Sequence, residues 1–228
     1  MNNILALDTA TSTLGLCLRT PGSLAVRIAD IELKHAQTLL PRILDLLAEA
    51  SISAAELDLV VCSLGPGSFT GVRIGLATAK GLAMGSGARL IGVSNLDAFG
   101  HRLRDFPGQV LPVLSALRGR FYACFYSNGH PLSEYLDSEL SELADLAFSA
   151  SAKQGLLLTG PDCVSLHEEL QHRGLKAPAL RLQASPASDP RSLLEVGIAV
   201  SARPTSEDPE PLPLYLRKSD AELKREKS

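Results

Sequence analysis

The sequence predicts an α/β protein built on mixed sheets, and three features carry that expectation. Short apolar runs alternate with longer helical patterns. The order from residue 4 to residue 93 is three strands, helix, strand, helix, strand. A glycine-rich loop, Gly65-Pro66-Gly67-Ser68, stands between one of those strands and the helix after it. Strands joined by short turns pair antiparallel, and a strand–helix–strand unit is a parallel crossover, so both kinds of pairing are expected in one sheet.

Ile4–Leu7, Gly15–Arg19 and Leu24–Ala29 alternate or run apolar between turn residues such as Pro21-Gly22, which predicts the first three strands. A helical pattern covers Ala36–Ala50. The apolar run at Leu59–Leu64 reads as a buried strand, the helix from about Thr70 to Met84 takes Thr70 as its N-cap, and Ala88–Val93 is the next strand. A short helix near Asn95–Leu103 leads to Asp105-Phe106-Pro107-Gly108, a boundary between residues 1–104 and 105–217. The second half repeats the theme more weakly. A hairpin of Val110–Ala116 and Phe121–Ser127 turns at Arg118-Gly119-Arg120, followed by a helix over Ser141–Ala150, a strand at Gly155–Thr159 and helices at Val164–His172 and Arg191–Ala202. The last helix, 191–202, is expected to pack back on the first half. Pro204–Pro213 reads as irregular, and 218–228 as a flexible tail.

Composition narrows the function classes. The 228 residues carry a net charge of −3, which disfavours a chain that grips nucleic acid on its own, because neutralising phosphates requires a basic face. No apolar run reaches membrane-spanning length. Met1-Asn2-Asn3-Ile4 runs into a strand without a basic, then apolar, leader, so a cytoplasmic protein is expected. Cys17, Cys62, Cys124 and Cys163 are widely spaced with no CxxC pair and read as reduced core thiols.

The chemistry-bearing motifs are two loops. Asp8-Thr9-Ala10-Thr11-Ser12-Thr13 lies between the first two strands, where actin-like nucleotide folds place a phosphate loop; alone, it reads first as a hydrogen-bonding hairpin turn, and the phosphate-loop reading gains from its pairing with the 65–71 loop. Gly65-Pro66-Gly67-Ser68-Phe69-Thr70-Gly71 has the strand–loop–helix geometry that holds anions, but Gly71 is followed by Val72-Arg73 and not by the Lys-Ser/Thr of a nucleotide-hydrolysing loop. Asp8, Thr9, Gly65, Gly67, Ser68 and Thr70 are therefore read as a vestigial nucleotide-like pair of loops. Neither Ser12 nor Ser68 stands in a GxSxG elbow. His35 has Leu39 at i+4, where a helical metal site would place a second His, so no metal site is expected there.

The two helices of the first half carry a second signal. In 36–50 the apolar residues cover more of the circumference than one sheet contact requires. In the helix from Thr70, Val72, Leu76, Ala79 and Ala83 form a core-facing row, while Ile74, Ala77 and Gly81 make a second, small-residue face. Leu39, Leu40, Ile43, Leu44, Leu47, Ile74, Ala77 and Gly81 are accordingly expected at a contact with another subunit; packing of the two helices on each other and on the last helix is the alternative.

These pieces resemble the TsaB (YeaZ) family of tRNA threonylcarbamoyladenosine biosynthesis proteins. The matching text is Ile4-Leu5-Ala6-Leu7-Asp8-Thr9, His35 before Leu39-Leu40-Pro41, Gly65 through Gly75, Lys80-Gly81-Leu82-Ala83, and Tyr215-Leu216-Arg217. The resemblance implies an actin-like (sugar kinase/Hsp70-like) pair of α/β subdomains. It implies a non-catalytic scaffold in the complex that transfers a threonylcarbamoyl group to adenosine in tRNAs reading codons that begin with A. The partners would be a TsaD-like catalytic subunit and a TsaE-like ATPase. ATP and metal would be bound by those partners and not by this chain, tRNA would be met only through the complex, and the chain alone would form a homodimer. In the catalytic relatives a HxxxH motif binds metal, and Leu39 stands where its second His would be. The competing reading is an independent ATP-dependent or peptidase-like enzyme on the same fold.

Overall fold

The computed structural model describes residues 2–31, 34–116, 118–175, 179–203 and 210–216. The first half contains β1 (Ile4–Asp8), β2 (Thr13–Thr20), β3 (Ser23–Asp30), α1 (His35–Glu49), a 3-10 turn at Ala54–Glu56, β4 (Leu59–Ser63), α2 (Phe69–Ser86), β5 (Arg89–Val93) and α3 (Asn95–Arg102). The second half contains β6 (Gln109–Ala116), β7 (Arg120–Ala123), β8 (Tyr126–Ser127), β9 (His130–Pro131), β10 (Leu136–Glu139), α4 (Leu140–Gln154), β11 (Leu156–Gly160), α5 (Cys163–His172), β12 (Leu180–Ala184) and α6 (Pro190–Ser201).

Both sheets share one plan. The first runs β3-β2-β1-β4-β5, with β1, β4 and β5 parallel and β2 and β3 antiparallel. The second runs β10-β7-β6-β11-β12, with β6, β11 and β12 parallel and the other two antiparallel. This duplication of a mixed five-strand path is the actin-like arrangement. Three sequence expectations change. Ser68, not Thr70, caps α2: its Oγ accepts the Gly71 N–H at 3.2 Å, so the helix begins at Phe69. The expected strand 121–127 breaks into β7 and β8. β10 and β12 were not expected, because Leu136-Asp137-Ser138-Glu139 and Leu180-Arg181-Leu182-Gln183-Ala184 are edge strands with few buried side chains and so no apolar run.

Strand alternation sorts the first sheet into two cores. Leu5, Leu7, Leu16, Leu18, Val60 and Cys62 face α1 and α2. Ile4, Ala6, Cys17, Leu59 and Val61 face the opposite way, onto Leu193 and Leu194 of α6 and Ala98 of α3. Gly197 of α6 lies so close to Val61 that an added Cβ would fall 2.5 Å from its methyl carbons. Helix α3 also turns Leu96 and Phe99 to the second sheet, against Val110, Leu114, Tyr126 and Leu157, so it lies between the two halves. The Tyr126 and Tyr135 hydroxyls both donate to the Asp97 carboxylate of α3, at 2.7 and 2.8 Å. The outer face of the second sheet packs on α4 and α5.

Residues 210–216 form a strap beside α2. The Leu214 N–H donates to the Leu64 carbonyl at 2.8 Å, and Glu210 pairs with Lys80 at 2.6 Å. Leu212, Pro213 and Leu214 share a pocket with Gly92 and Val93 of β5 and with Val196 and Val200 of α6. Arg217, the 218–228 tail and residues 204–209 of the expected irregular stretch lie outside the described residues. All four cysteines are free and buried, and among the described residues no helix is long and apolar enough to cross a membrane.

Candidate functional site

The two loops singled out in the sequence meet. The Ser68 N–H donates to the Ala10 carbonyl at 2.7 Å, and the Thr9 hydroxyl donates to the Gly71 carbonyl at 2.8 Å. Glycine is required where they touch: a Cβ on Gly67 would lie 2.2 Å from the Ala10 oxygen, and one on Gly71 2.1 Å from the Thr9 oxygen. Gly65 and Pro66 are held from below by α3. The Asn95 N–H and the Ser94 hydroxyl donate to the Gly65 carbonyl at 2.9 and 3.2 Å, and Asn95 Nδ2 donates to the Pro66 carbonyl at 2.9 Å. Asn95 was not singled out in the sequence, where it reads only as a helix start.

Asp8 is fully buried at the end of β1. One carboxylate oxygen accepts the Ala10 N–H at 2.9 Å, and the other accepts the Ser188 hydroxyl. Burial raises its pKa, and the hydrogen bonds to Ser188 and Ala10 oppose that rise. Ser188 lies 180 positions away and carried no sequence signal. Thr70 is exposed on the first turn of α2 and plays no part in the loop contact.

Between the loops and the second half lies a cleft of about 250 Å³, walled by Thr11, Ser12, Gly67 and Ser68 on one side and by Ser115, Pro161, Asp162 and Pro186 on the other. No lysine or arginine lines it, and its one charged residue, Asp162, is acidic, with Oδ2 accepting the Ser115 N–H at 2.7 Å. A phosphate entering here would meet a like charge and no counter-charge. The amides that could cradle it at Ala10, Ser68 and Gly71 already have partners. His35 is buried at the start of α1, and Leu39 at i+4 is buried too. Among the described residues no cluster of three His, Cys, Asp or Glu could hold a metal ion.

The helical face needs correction. Leu39, Ile43 and Leu47 are buried in the chain's own core and are removed from the expected contact surface. Ile74 is half-buried and packs against that core. Leu40 and Leu44, one turn apart on α1, are 46% and 50% exposed. On α2, Arg73, Ala77, Gly81 and Met84 are exposed and follow one stripe, with Met84 at 86% and nothing within 4 Å of a Cβ on Gly81. Helices α1 and α2 pack against each other, so the exposed apolar and small residues form a two-helix face. Phe69 and Tyr215, both near half exposed, lie at one end of α2.

Comparison with known proteins places these features. A family model described as TsaD, tRNA N6-adenosine threonylcarbamoyltransferase, matches residues 29–224. The tRNA threonylcarbamoyladenosine biosynthesis protein TsaB of Bacillus subtilis is 33% identical over 170 residues, which is 73% of this chain and 74% of that one. The Escherichia coli TsaB is 36% identical over 125 residues, 54% of each chain. The solved structure of YeaZ from Pseudomonas aeruginosa superposes with a TM-score of 0.79 at 27% identity, covering 95% of this chain and 100% of that one.

Proposed function

The chain belongs to the TsaB branch of the tRNA threonylcarbamoyladenosine biosynthesis family, and from that membership we propose that it is a non-catalytic scaffold subunit for threonylcarbamoyl transfer to adenosine in tRNA. One observation supports the non-catalytic reading above the rest. The two loops that would hold a nucleotide use their polar groups within the chain: Ser68 on Ala10 and Thr9 on Gly71 across the loops, and Asp8 on Ala10 of its own loop and on Ser188. The surface left for function is the face of α1 and α2. A TsaD-like catalytic subunit covers it in the complex, with a TsaE-like ATPase joining them, and the chain pairs weakly with itself when that subunit is absent. ATP and metal are carried by those subunits, and tRNA is met only through the assembled complex.

Complementation of a strain depleted of this chain tests the reading, with modified nucleoside scored by mass spectrometry. Leu44→Glu and Met84→Glu place a charge on exposed positions, so the fold survives while partner contact would have to desolvate that charge, at a cost. Loss of partner binding dissolves the complex by mass action. These variants are expected to abolish the modification, and Asp8→Asn to retain it. Rescue by both glutamate variants together with failure of Asp8→Asn would instead indicate an enzyme with its own nucleotide site. So would stoichiometric nucleotide binding by the isolated chain.

A further inference from the structure

At the N-terminal end of α2 three side chains form a stack. The Phe69 and Tyr215 rings lie 5.4 Å apart between centroids and 28° from parallel. The Arg73 guanidinium carbon sits 3.7 Å from the Phe69 centroid and 5.8 Å from that of Tyr215, and Arg73 Nε donates to the Tyr215 hydroxyl at 2.8 Å. Nε is thereby engaged and the plane is fixed, while the terminal N–H groups have no hydrogen-bond partner among the described residues. The strap treats the two cations of α2 differently. It brings Glu210 to Lys80, but it brings only the ring and hydroxyl of Tyr215 to Arg73, which has no carboxylate in ion-pair range among the described residues. A guanidinium held flat, with its outer edge open, is preorganised for two parallel hydrogen bonds to a carboxylate.

We propose that Arg73, oriented by Phe69 and Tyr215, is the anchor of the helical face and receives an Asp or Glu side chain of a different subunit. This rests on the scaffold reading above. Charge argues against a second copy as the occupant. Helix α2, from Phe69 to Ser86, contains no acidic residue. The acidic residues of α1, Asp45 and Glu49, line a separate groove with Arg42 beside β2 and β3, where Glu49 is paired with Arg27. Two copies meeting through this face would bring cations together, and the strap's carboxylate beside α2, Glu210, is already paired with Lys80. A subunit with a carboxylate set among apolar side chains satisfies both the leucines and the arginine. Arginine and aromatic residues grouped in this way are also the types that dominate interface energetics.

The test is titration calorimetry of the full chain with the TsaD-type subunit of the same genome, at low and high salt. Arg73→Glu is expected to weaken binding about 100-fold, the scale of losing one partner of a desolvated charge pair. Arg73→Lys keeps the charge but not the fork, and is expected to lose about tenfold. Tyr215→Phe keeps the ring and removes the orienting hydroxyl, and is expected to bind more weakly than wild type. An Asp or Glu to Arg change on the partner should restore Arg73→Glu. Wild type that fails to bind removes the scaffold reading itself. Wild type that binds, with folded Arg73→Glu and Arg73→Lys within about twofold of it, leaves the scaffold reading standing and overturns the anchor. Loss of self-association alone, with heteromeric affinity unchanged, assigns Arg73 to a second copy and also overturns it.

Discussion

The Thr9 hydroxyl donates to the Gly71 carbonyl at 2.8 Å, joining two loops 62 positions apart. Thr9 is enclosed by glycines: a Cβ on Gly71 would fall 2.1 Å from its carbonyl oxygen, and one on Gly75 2.2 Å from its Oγ1. Gly71→Ala and Gly75→Ala should therefore each destabilise the protein by ~1–3 kcal/mol through overpacking. Gly81→Ala should do the opposite. With nothing within 4 Å of the added methyl, it gains helix propensity of ~1 kcal/mol. Urea unfolding midpoints of the three variants measure the contrast. Under the proposed scaffold role, Gly81→Ala should still bind the partner less well in titration calorimetry, because the methyl would stand in the proposed contact.

Asp8 gives a pH signature opposite in sign to that of most carboxylates. Its pKa is raised in the folded state, chiefly by burial, so the native state binds its proton more tightly than the unfolded chain does. That contribution is fully present below the unfolded value near 3.8 and is lost as pH rises through the folded pKa. Asp58, held below its ordinary range by the Asn3 and Asn2 amides, runs the other way and loses its contribution as pH falls. Asp8→Asn should remove the first component and steepen the acid-side loss of stability, measured by thermal melts from pH 4 to 7. Asp8→Ala should cost more than one surface hydrogen bond, because it strands the buried Ser188 hydroxyl, at about 1–3 kcal/mol.

The thiols should be silent in the native protein. Burial pushes Cys17 up to about 12 and Cys163 up to about 11, and raises Cys62 and Cys124 as well. The thiolate is the reactive form. A thiol reagent at pH 8 is expected to titrate none of the four in buffer and all four in guanidinium. Rapid native labelling of any one would place it in an accessible site.

Metal analysis of the tag-free chain is expected to find no equivalent of zinc or iron. His35 has the buried Leu39 one turn on, and among the described residues no cluster of three His, Cys, Asp or Glu could hold such an ion. One equivalent lost on His35→Ala would contradict this.

The helix and strand order was legible because the two periodicities differ and the apolar runs are long enough to show them. The edge strands β10 and β12 were not, since strands exposed on one edge need few apolar residues. The two-helix face was half legible. The pattern showed that α1 carries more leucine than one core needs, but Leu39 and Leu40, or Ile43 and Leu44, are chemically alike, and only the packing decides which of each pair turns inward. Ser188 and Tyr215 were invisible as partners of Asp8 and Arg73, which lie 180 and 142 positions earlier. Such pairings are set by the crossing of the chain back to its first half, and local sequence holds no record of them.

That crossing also sets a clock on synthesis. Leu193 and Leu194 of α6 cover the inner face of a sheet whose own five strands end at Val93. When the first hundred residues have emerged from a ribosome, Ile4, Ala6, Leu59 and Val61 can be paired in strands but have only Ala98 of α3, and neither leucine of α6, to cover them. At a synthesis rate of about 5–20 residues per second, the covering helix follows roughly 5–20 s later. During that interval the nascent chain presents a largely uncovered apolar sheet face to the cell, so the first half depends on whatever shields it until α6 arrives.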